Sequence, residues 1–226
     1  MRLELLHLCD SLFPIGAFGY SDGLEAAAAG AWHVPGTRLA PLRDADGLGA
    51  WIDVVLDESI GRLEGPAVWQ AWLAVVERDW PGLAALDEEL IAIRPSSASR
   101  SASRAMGHRL LTTWRALHPD ERLAHVPPSS ALSIAFAAAC ACGDIARRES
   151  VEAYAYTRLA ATASVAMRLL PIGQTEAHRL LAGSLTRVPR VVDRIASRGG
   201  RIESFSPALD IAAMTQQYLH SRLFRS

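Results

Sequence analysis

The recurrence of apolar residues at intervals of three and four positions is the feature that most constrains this chain. Such spacing places them on one face of an α-helix. A clear example is Leu48, Trp51, Ile52, Val55 and Leu56. No stretch alternates apolar and polar residues over the length of a strand, so the pattern predicts an all-α, single-domain multi-helix bundle without significant sheet.

The length of 226 residues suffices for one domain with a substantial core, and 50% of the residues are hydrophobic. No run reaches the roughly 18 consecutive apolar residues of a membrane-spanning helix. The first residues lack the basic flank and long apolar region of a signal peptide. The three cysteines cannot all pair with one another, which is typical of a reducing compartment. We therefore predict one domain over residues 1–226, located in the cytoplasm.

The charge balance argues against a general role in binding nucleic acid or a membrane surface, since such binding needs a basic surplus. The formal net charge is −1. The basic residues are all arginine, and the absence of lysine excludes the phosphate-binding motif G-x-x-x-x-G-K-[ST]. We predict no nucleic-acid partner and no membrane partner.

The histidines are scattered, without an H-E-x-x-H motif or a paired spacing typical of metal ligands. Cys140 and Cys142 are two positions apart in a predicted helix, where side chains point about 200° apart, so the two thiols cannot share one ion. We predict no metal site and no cofactor.

Several helix boundaries can be predicted. The serine-rich residues 96–103 should cap a helix, and the small, apolar residues up to Gly143 should form a helix buried on most sides. Pro35-Gly36 marks a break. Gly65-Pro66 should start a second helix and produce a helical hairpin. Residues 150–170 should form the longest helix, at the centre of the bundle or at a subunit interface.

The stretch Asp10–Glu25, DSLFPIGAFGYSDGLE, does not fit a helix or a strand, because it combines four glycine or proline positions with aromatic residues. It should be a shaped loop after a helix over residues 2–12. Asp22 and Glu25 resemble a capping box for the next helix. Phe18 and Tyr20 either fill the core or form a recognition surface.

The segment of residues 206–226 is also unusual, since chain termini are normally polar. Here Leu223 and Phe224 lie between Arg222 and Arg225. These two apolar side chains are predicted to be anchors for a groove on this protein or on another one.

Two further motifs allow alternative interpretations. Residues 19–23, GYSDG, match the G-x-S-x-G nucleophile elbow, which would make Ser21 the nucleophile of a serine hydrolase. That motif needs a strand-to-helix turn inside a sheet, which the preceding residues do not predict. The arginines of the last helices form either a solvated face or a docking strip for an acidic partner. They are Arg187, Arg190, Arg194, Arg198 and Arg201.

Three motifs in order resemble the UreF family of urease accessory proteins. They are the stretch Asp10–Glu25, the segment RLLPIGQT at Arg168–Thr175, and the tail Met214–Ser226 with its SRLFRS ending. The resemblance implies an all-α homodimer without catalytic activity. It also implies an adaptor that bridges a UreD/UreH-type accessory protein and the GTPase UreG during nickel insertion into apo-urease, and that regulates the GTPase.

The resemblance also implies which residues bind partners. Leu223 and Phe224, with the flanking arginines, should contact the UreD/UreH-type protein. The loop around Tyr20 and Glu25, together with Arg222, should form the surface offered to the GTPase. The full predicted set is Phe18, Tyr20, Glu25, Arg168, Gln174, Ser221, Arg222, Leu223, Phe224 and Arg225. The chain departs from the family pattern at Gln216 and Gln217, where a His-Glu pair is common, and at Ala98, where a glutamate is frequent.

Overall fold

The structure is a computed structural model that describes residues 2–30 and 42–225. Over these ranges it is all-α and contains no strand, which confirms the predicted fold class. None of the described helices has the length and hydropathy needed to cross a membrane. The predicted break at Pro35-Gly36 lies outside the described residues.

The α-helices follow one another with short connections. They are α1 (Leu3–Cys9), α2 (Leu24–Ala29), α3 (Ala45–Val54), α4 (Gly65–Glu77), α5 (Trp80–Ile93), α6 (Ser97–Leu117), α7 (Leu132–Cys142), α8 (Arg147–Leu169), α9 (Gln174–Leu185), α10 (Val188–Ser197) and α11 (Pro207–Thr215). A π-helix spans Val55–Glu64, and short 3₁₀ turns occupy Ala17–Gly19, Glu121–His125 and Gln216–Tyr218.

Helix α7 lies at the centre of the bundle, with every residue from Leu132 to Ala141 buried. It packs chiefly between α4 and α6, and α8 packs on α4, α7, α9 and α10. Because most α7 side chains are alanine-sized, neighbouring backbones can approach closely on several sides. The prediction that this segment is buried on most sides is therefore confirmed.

Helix α6 begins where the serine-rich segment predicted it. The Ser96 hydroxyl accepts a hydrogen bond from the backbone N–H of Ser99 at 3.2 Å. One turn further, the Ser103 hydroxyl accepts the N–H of Leu132 at 3.1 Å. A Cβ atom placed on Gly107 would lie only 2.0 Å from the carbonyl oxygen of Ser130. The α6 face thus contacts the backbone of the turn before α7 directly.

The predicted helical hairpin around Gly65-Pro66 is wrong. Helix α3, the π-helix and α4 form one continuous helical stretch, which the Asp44 carboxylate caps by accepting the N–H of Gly47 at 2.9 Å. Pro66 has no N–H to give, and the carbonyl of Arg62, one α-helical turn earlier, accepts the N–H of Glu203 at 2.8 Å instead. An amide from outside the helix therefore replaces the bond that proline cannot make.

The two ends of the chain meet on one side of the bundle. Helix α1 ends at Cys9, short of the predicted residue 12, since the Asp10 backbone is extended and its carboxylate accepts the N–H of Leu12 at 2.8 Å. Helices α1 and α2 pack on α8, and α11 packs on α2 and α6. The N-terminal loop and the C-terminal tail are consequently neighbours.

Candidate functional site

Two arginines from the core helices hold the loop between α1 and α2. Arg109 on α6 donates to the carbonyl of Ile15 at 2.7 Å, and Arg168 on α8 donates to the carbonyl of Phe18 at 3.0 Å. A charged donor makes a stronger hydrogen bond to a carbonyl than a neutral one does. The loop predicted from the glycine- and proline-rich composition is therefore held in place on the core helices.

Glu25 is the residue that ties the tail to the rest of the molecule. Its buried carboxylate accepts the backbone N–H of Leu223 at 2.5 Å and that of Phe224 at 3.2 Å. The same carboxylate accepts the side-chain amide of Gln216 at 3.2 Å. Glu25 thus acts inside the subunit as an acceptor for three donors from the C-terminal end of the chain.

Gln216 occupies the position where the sequence departs from the family pattern, and it has a structural role. Its side-chain oxygen accepts the hydroxyl of Ser21 at 2.7 Å and the backbone N–H of Gly23 at 3.2 Å, while its amide nitrogen donates to Glu25. Being both acceptor and donor, a buried amide can join the loop to the carboxylate without carrying a charge.

The predicted capping box is wrong. Helix α2 has Gly23 as its N-cap, without a side-chain cap, and both Asp22 and Gly23 have left-handed backbones with φ of 50° and 85°. The Asp22 carboxylate forms an ion pair with Arg158, and Glu25 binds the tail. Both acidic side chains serve long-range contacts that are not visible in local spacing.

Leu223 and Phe224, predicted as anchors for a groove on this protein or on another one, differ in exposure. Leu223 is 56% exposed, whereas Phe224 is 3% exposed. The guanidinium of Arg168 lies 4.3 Å from the centre of the Phe224 ring, a cation–π contact, and the N–H of Arg225 donates to the carbonyl of Gly19 at 2.8 Å. Of the two alternatives, Phe224 is an anchor on this protein itself and fixes the tail on the loop, whereas the Leu223 side chain remains exposed.

The outer surface of these two segments combines apolar groups with arginine. We call residues 15–25 together with residues 218–225 the loop–tail face. Phe18 is 78% exposed and Tyr218, which the sequence did not single out, is 79% exposed. Ser221, Arg222 and Arg225 are also exposed, and Tyr20 is half-buried. Gln174 is exposed as the first residue of α9, and none of the described hydrogen bonds joins it to this face.

A buried charge cluster beneath the loop was missed from the sequence. Arg158 donates to Glu64 at 3.0 Å, and Arg94 donates to Glu64 at 2.5 Å. Burial raises the pKa of Glu64, but the charges of the two guanidiniums outweigh it, so its pKa lies below the ordinary range. The available signal was the lone glutamate in the apolar stretch around Gly65.

The geometry around Ser21 does not support the hydrolase interpretation. The residue lies in a turn between a 3₁₀ turn and α2, and the described ranges contain no strand to form a nucleophile elbow. Its side chain is buried and its hydroxyl donates to Gln216. The hydroxyl therefore supports the fold at the junction of loop and tail.

Fluorophosphonate labelling tests this assignment of Ser21. We expect no covalent adduct on the wild-type protein, because the hydroxyl is buried and engaged, and no change in signal with Ser21→Ala. The measurement is in-gel fluorescence beside an active serine hydrolase as a positive control. Labelling that disappears in Ser21→Ala would instead establish a nucleophile. The variant should lose about 1 kcal/mol of stability with its buried hydrogen bond.

The cysteine pair and the remaining metal-ligand types form no further site within the described ranges. Cys140 is buried and Cys142 is half-buried. Burial raises the pKa of the Cys142 thiol to about 12, so it is protonated at neutral pH. Among the residues that the structure describes, no group of three or more histidine, cysteine or acidic side chains could hold a metal ion.

Intramolecular ion pairs compensate four of the five arginines in the series of the last helices, and Arg190 is exposed. Arg187 pairs with Asp53 and Asp57, and Arg194 pairs with Asp57 at 3.2 Å. Arg198 and Arg201 both lie near Glu203, at 3.1 and 3.8 Å. This arrangement favours a solvated, ion-paired face over a docking strip for an acidic partner.

Comparison with known proteins gives a consistent result over nearly the whole chain. The model of the family UreF matches residues 42–185. A protein of Methylibium petroleiphilum described as "Urease accessory protein UreF" is 30% identical over 231 residues, covering 99% of this chain and 93% of the relative. Proteins of the same description are 31% identical in Pseudomonas aeruginosa (98% and 97% covered) and 29% identical in Methylobacillus flagellatus (99% and 97% covered).

Proposed function

Because the chain belongs to the UreF family of urease accessory proteins, we propose that it is a non-enzymatic adaptor in urease maturation. It bridges a UreD/UreH-type accessory protein and a UreG-type GTPase while nickel is inserted into apo-urease, and it regulates the GTPase. It works in the cytoplasm as a homodimer in which residues 1–226 form one domain. Residues 206–226 provide the helix and tail that dock on a partner.

The observation that carries this proposal is the loop–tail face. Phe18 and Leu223 are exposed beside Arg222 and Arg225, and the Arg225–Gly19 hydrogen bond joins the two segments. Exposed aromatic and aliphatic side chains gain about 1.5–3 kcal/mol each on full burial. Arginine is enriched among the residues that dominate protein interfaces. Such a composite surface suits protein binding better than catalysis.

The predicted residues divide into an outer and an inner group. Leu223, Arg222 and Arg225 contact the UreD/UreH-type partner. Phe18, Tyr20, Gln174 and Ser221 belong to the outer surface, with Tyr20 and Arg222 directed to the GTPase. Glu25 and Phe224 are buried and act from within, and the exposed Arg168 covers the Phe224 ring, so all three hold the tail against the loop.

Tail variants test this proposal by co-purification with the UreD/UreH-type partner. Deleting Leu223–Ser226 should abolish co-purification and leave the helical circular dichroism intact, because the last helical turn ends at Tyr218. Leu223→Asp should weaken capture at least about tenfold by placing a charge in an apolar contact. The substitution keeps the backbone N–H that Glu25 accepts.

Leu117→Asp is the matched control. Leu117 is 50% exposed at the C-terminal end of α6, whereas Ser97 and Ala98 at the other end of that helix line a pocket with α11. It should capture the partner as the wild type does. Partner capture that survives the deletion would contradict the proposal. Equal losses in Leu223→Asp and Leu117→Asp would mean that surface charge in general, and not the tail, determines the result.

A further inference from the structure

The buried charge cluster connects four separate parts of the chain. Asp22 comes from the loop, Glu64 ends the π-helix, Arg94 follows α5, and Arg158 lies in the middle of α8. Arg158 bridges two carboxylates, since one of its nitrogens contacts Asp22 and another donates to Glu64 at 3.0 Å. The Glu64 side chain is 3% exposed, so the cluster is anchored in the core.

Asp22 is the one member of the cluster with an unusual backbone. Its φ of 50° lies in the left-handed region, which costs an L-residue free energy and persists where surrounding contacts hold it. Gly23 follows with φ of 85°. Two successive left-handed residues turn the chain sharply. The backbone N–H of Leu24 donates to the carbonyl of Ser21 at 3.0 Å across this turn, and the ion pair with Arg158 joins the Asp22 side chain to the core.

This turn sets the position of the C-terminal helix. A Cβ atom on Gly23 would lie 2.6 Å from the backbone nitrogen of Ala213 on α11, so the two backbones are in direct contact. The N–H of Gly23 also donates to Gln216, which in turn donates to Glu25. A shift at Asp22 would therefore displace the acceptors on which the tail rests.

We infer that Arg158 and Asp22 are positioning residues for the loop–tail face: their ion pair transmits the rigidity of the core to the segment that seats the tail. The inference that this positioning serves partner binding rests on the proposed function. The positioning itself can be tested on the isolated protein.

The decisive variant is Asp22→Asn, read out by hydrogen–deuterium exchange of the tail. Asparagine tolerates the left-handed backbone, so the substitution removes the charge and leaves the turn accessible. Arg158 keeps Glu64 as a partner, so we expect the variant to remain folded. We expect the amides of Leu223 and Phe224 to exchange about tenfold to hundredfold faster, as for the loss of a charge-assisted hydrogen bond.

Asp87→Asn is the matched control, because Asp87 is also a carboxylate paired with an arginine of a core helix, Arg104 at 3.4 Å. It accepts the N–H of Ala131 and lies on α5, in a different part of the bundle from the tail contacts. We expect unchanged tail exchange, and the melting temperature of the same variant measures any change in global stability. Arg158→Lys should give an intermediate tail exchange rate, since an ammonium group keeps the charge but lacks the fork that bridges both carboxylates.

Each possible result of these exchange measurements either supports or overturns the positioning role. Tail exchange at the wild-type rate in Asp22→Asn would overturn the positioning role. Equal acceleration in Asp22→Asn and Asp87→Asn would also overturn it, because global stability would then explain the change. Faster tail exchange in Asp22→Asn alone supports it. If the partner is still captured by that loosened variant, the positioning role stands and the proposed use of the tail in partner binding fails.

Discussion

Replacing Glu64 by glutamine is expected to lower the free energy of unfolding by about 3–5 kcal/mol. The substitution preserves shape but removes the carboxylate on which Arg94 and Arg158 converge, at 2.5 and 3.0 Å. Two guanidiniums would remain buried with Asp22 as their nearest compensating charge. Thermal unfolding should show a decrease of about 6–20 °C in Tm, given about 2–4 °C per kcal/mol for a domain of this size.

Glu176→Gln is the control for this experiment, since it also removes an ion pair with an arginine, Arg179, but on the exposed surface of α9. We expect a change within about 0.5 kcal/mol, because exposed ion pairs contribute little. A similar loss of stability in both variants would contradict the special role of the buried cluster.

The effect of Glu64→Gln should depend on pH in a defined direction. Burial raises the pKa values of Glu64 and Asp22, but the neighbouring arginines outweigh it and both pKa values are lowered. A carboxyl group with a lowered pKa stabilises the fold above its unfolded pKa and loses that contribution as the pH falls through the folded value. The difference from wild type should be full at neutral pH and shrink below about pH 4.

Replacing Gly107 by alanine is expected to destabilise the protein by about 2–3 kcal/mol, as overpacking of a close contact does. The added methyl group would lie 2.0 Å from the carbonyl oxygen of Ser130 and 3.0 Å from the carbonyl carbon of Ala131. Both are backbone atoms of the turn that leads into α7, so neither can rotate away. Denaturant unfolding should show a lower midpoint with an unchanged slope.

Gly183→Ala is expected to change the stability in the opposite direction. Gly183 lies inside α9, and nothing comes within 4 Å of a Cβ atom added there. Alanine should therefore stabilise the helix by about 0.5–1 kcal/mol through the lower entropy of the unfolded chain. If both glycine variants moved stability in the same direction, the close approach of α6 to the turn before α7 would not be the determining factor.

Helix content was predictable because periodicity is a local property. The stripe from Leu48 to Leu56 is buried as its spacing indicated, and Ser96 caps α6 as the serine-rich segment indicated. Pro66 misled the prediction, since proline normally begins or breaks an α-helix. The break did not occur, because the π-helix precedes it and a distant amide, that of Glu203, satisfies the freed carbonyl.

The internal contacts of the loop and the tail could not be predicted from the sequence, because they join residues that are far apart along the chain. Glu25 and Leu223 are 198 positions apart, so no spacing rule relates the carboxylate to the amide that it accepts. Composition identified the loop and the tail as unusual segments. It could not reveal that Phe224 is buried under Arg168 while its neighbour Leu223 is exposed, because that depends on how α8 approaches the tail.

The hydrogen bond from the Glu203 amide to the helical stretch at Pro66 also affects how α11 is attached to the rest of the bundle. The carbonyl of Gly200 accepts the side chain of Gln70 at 2.6 Å, and three residues later Glu203 donates to Arg62. The segment before α11 is thus hydrogen-bonded at two points, Gly200 and Glu203, to the same helical stretch. Residues inserted between Gly200 and Glu203 would have to bulge outward. Residues inserted between Glu203 and Pro207 would instead lengthen a segment that these two hydrogen bonds do not hold.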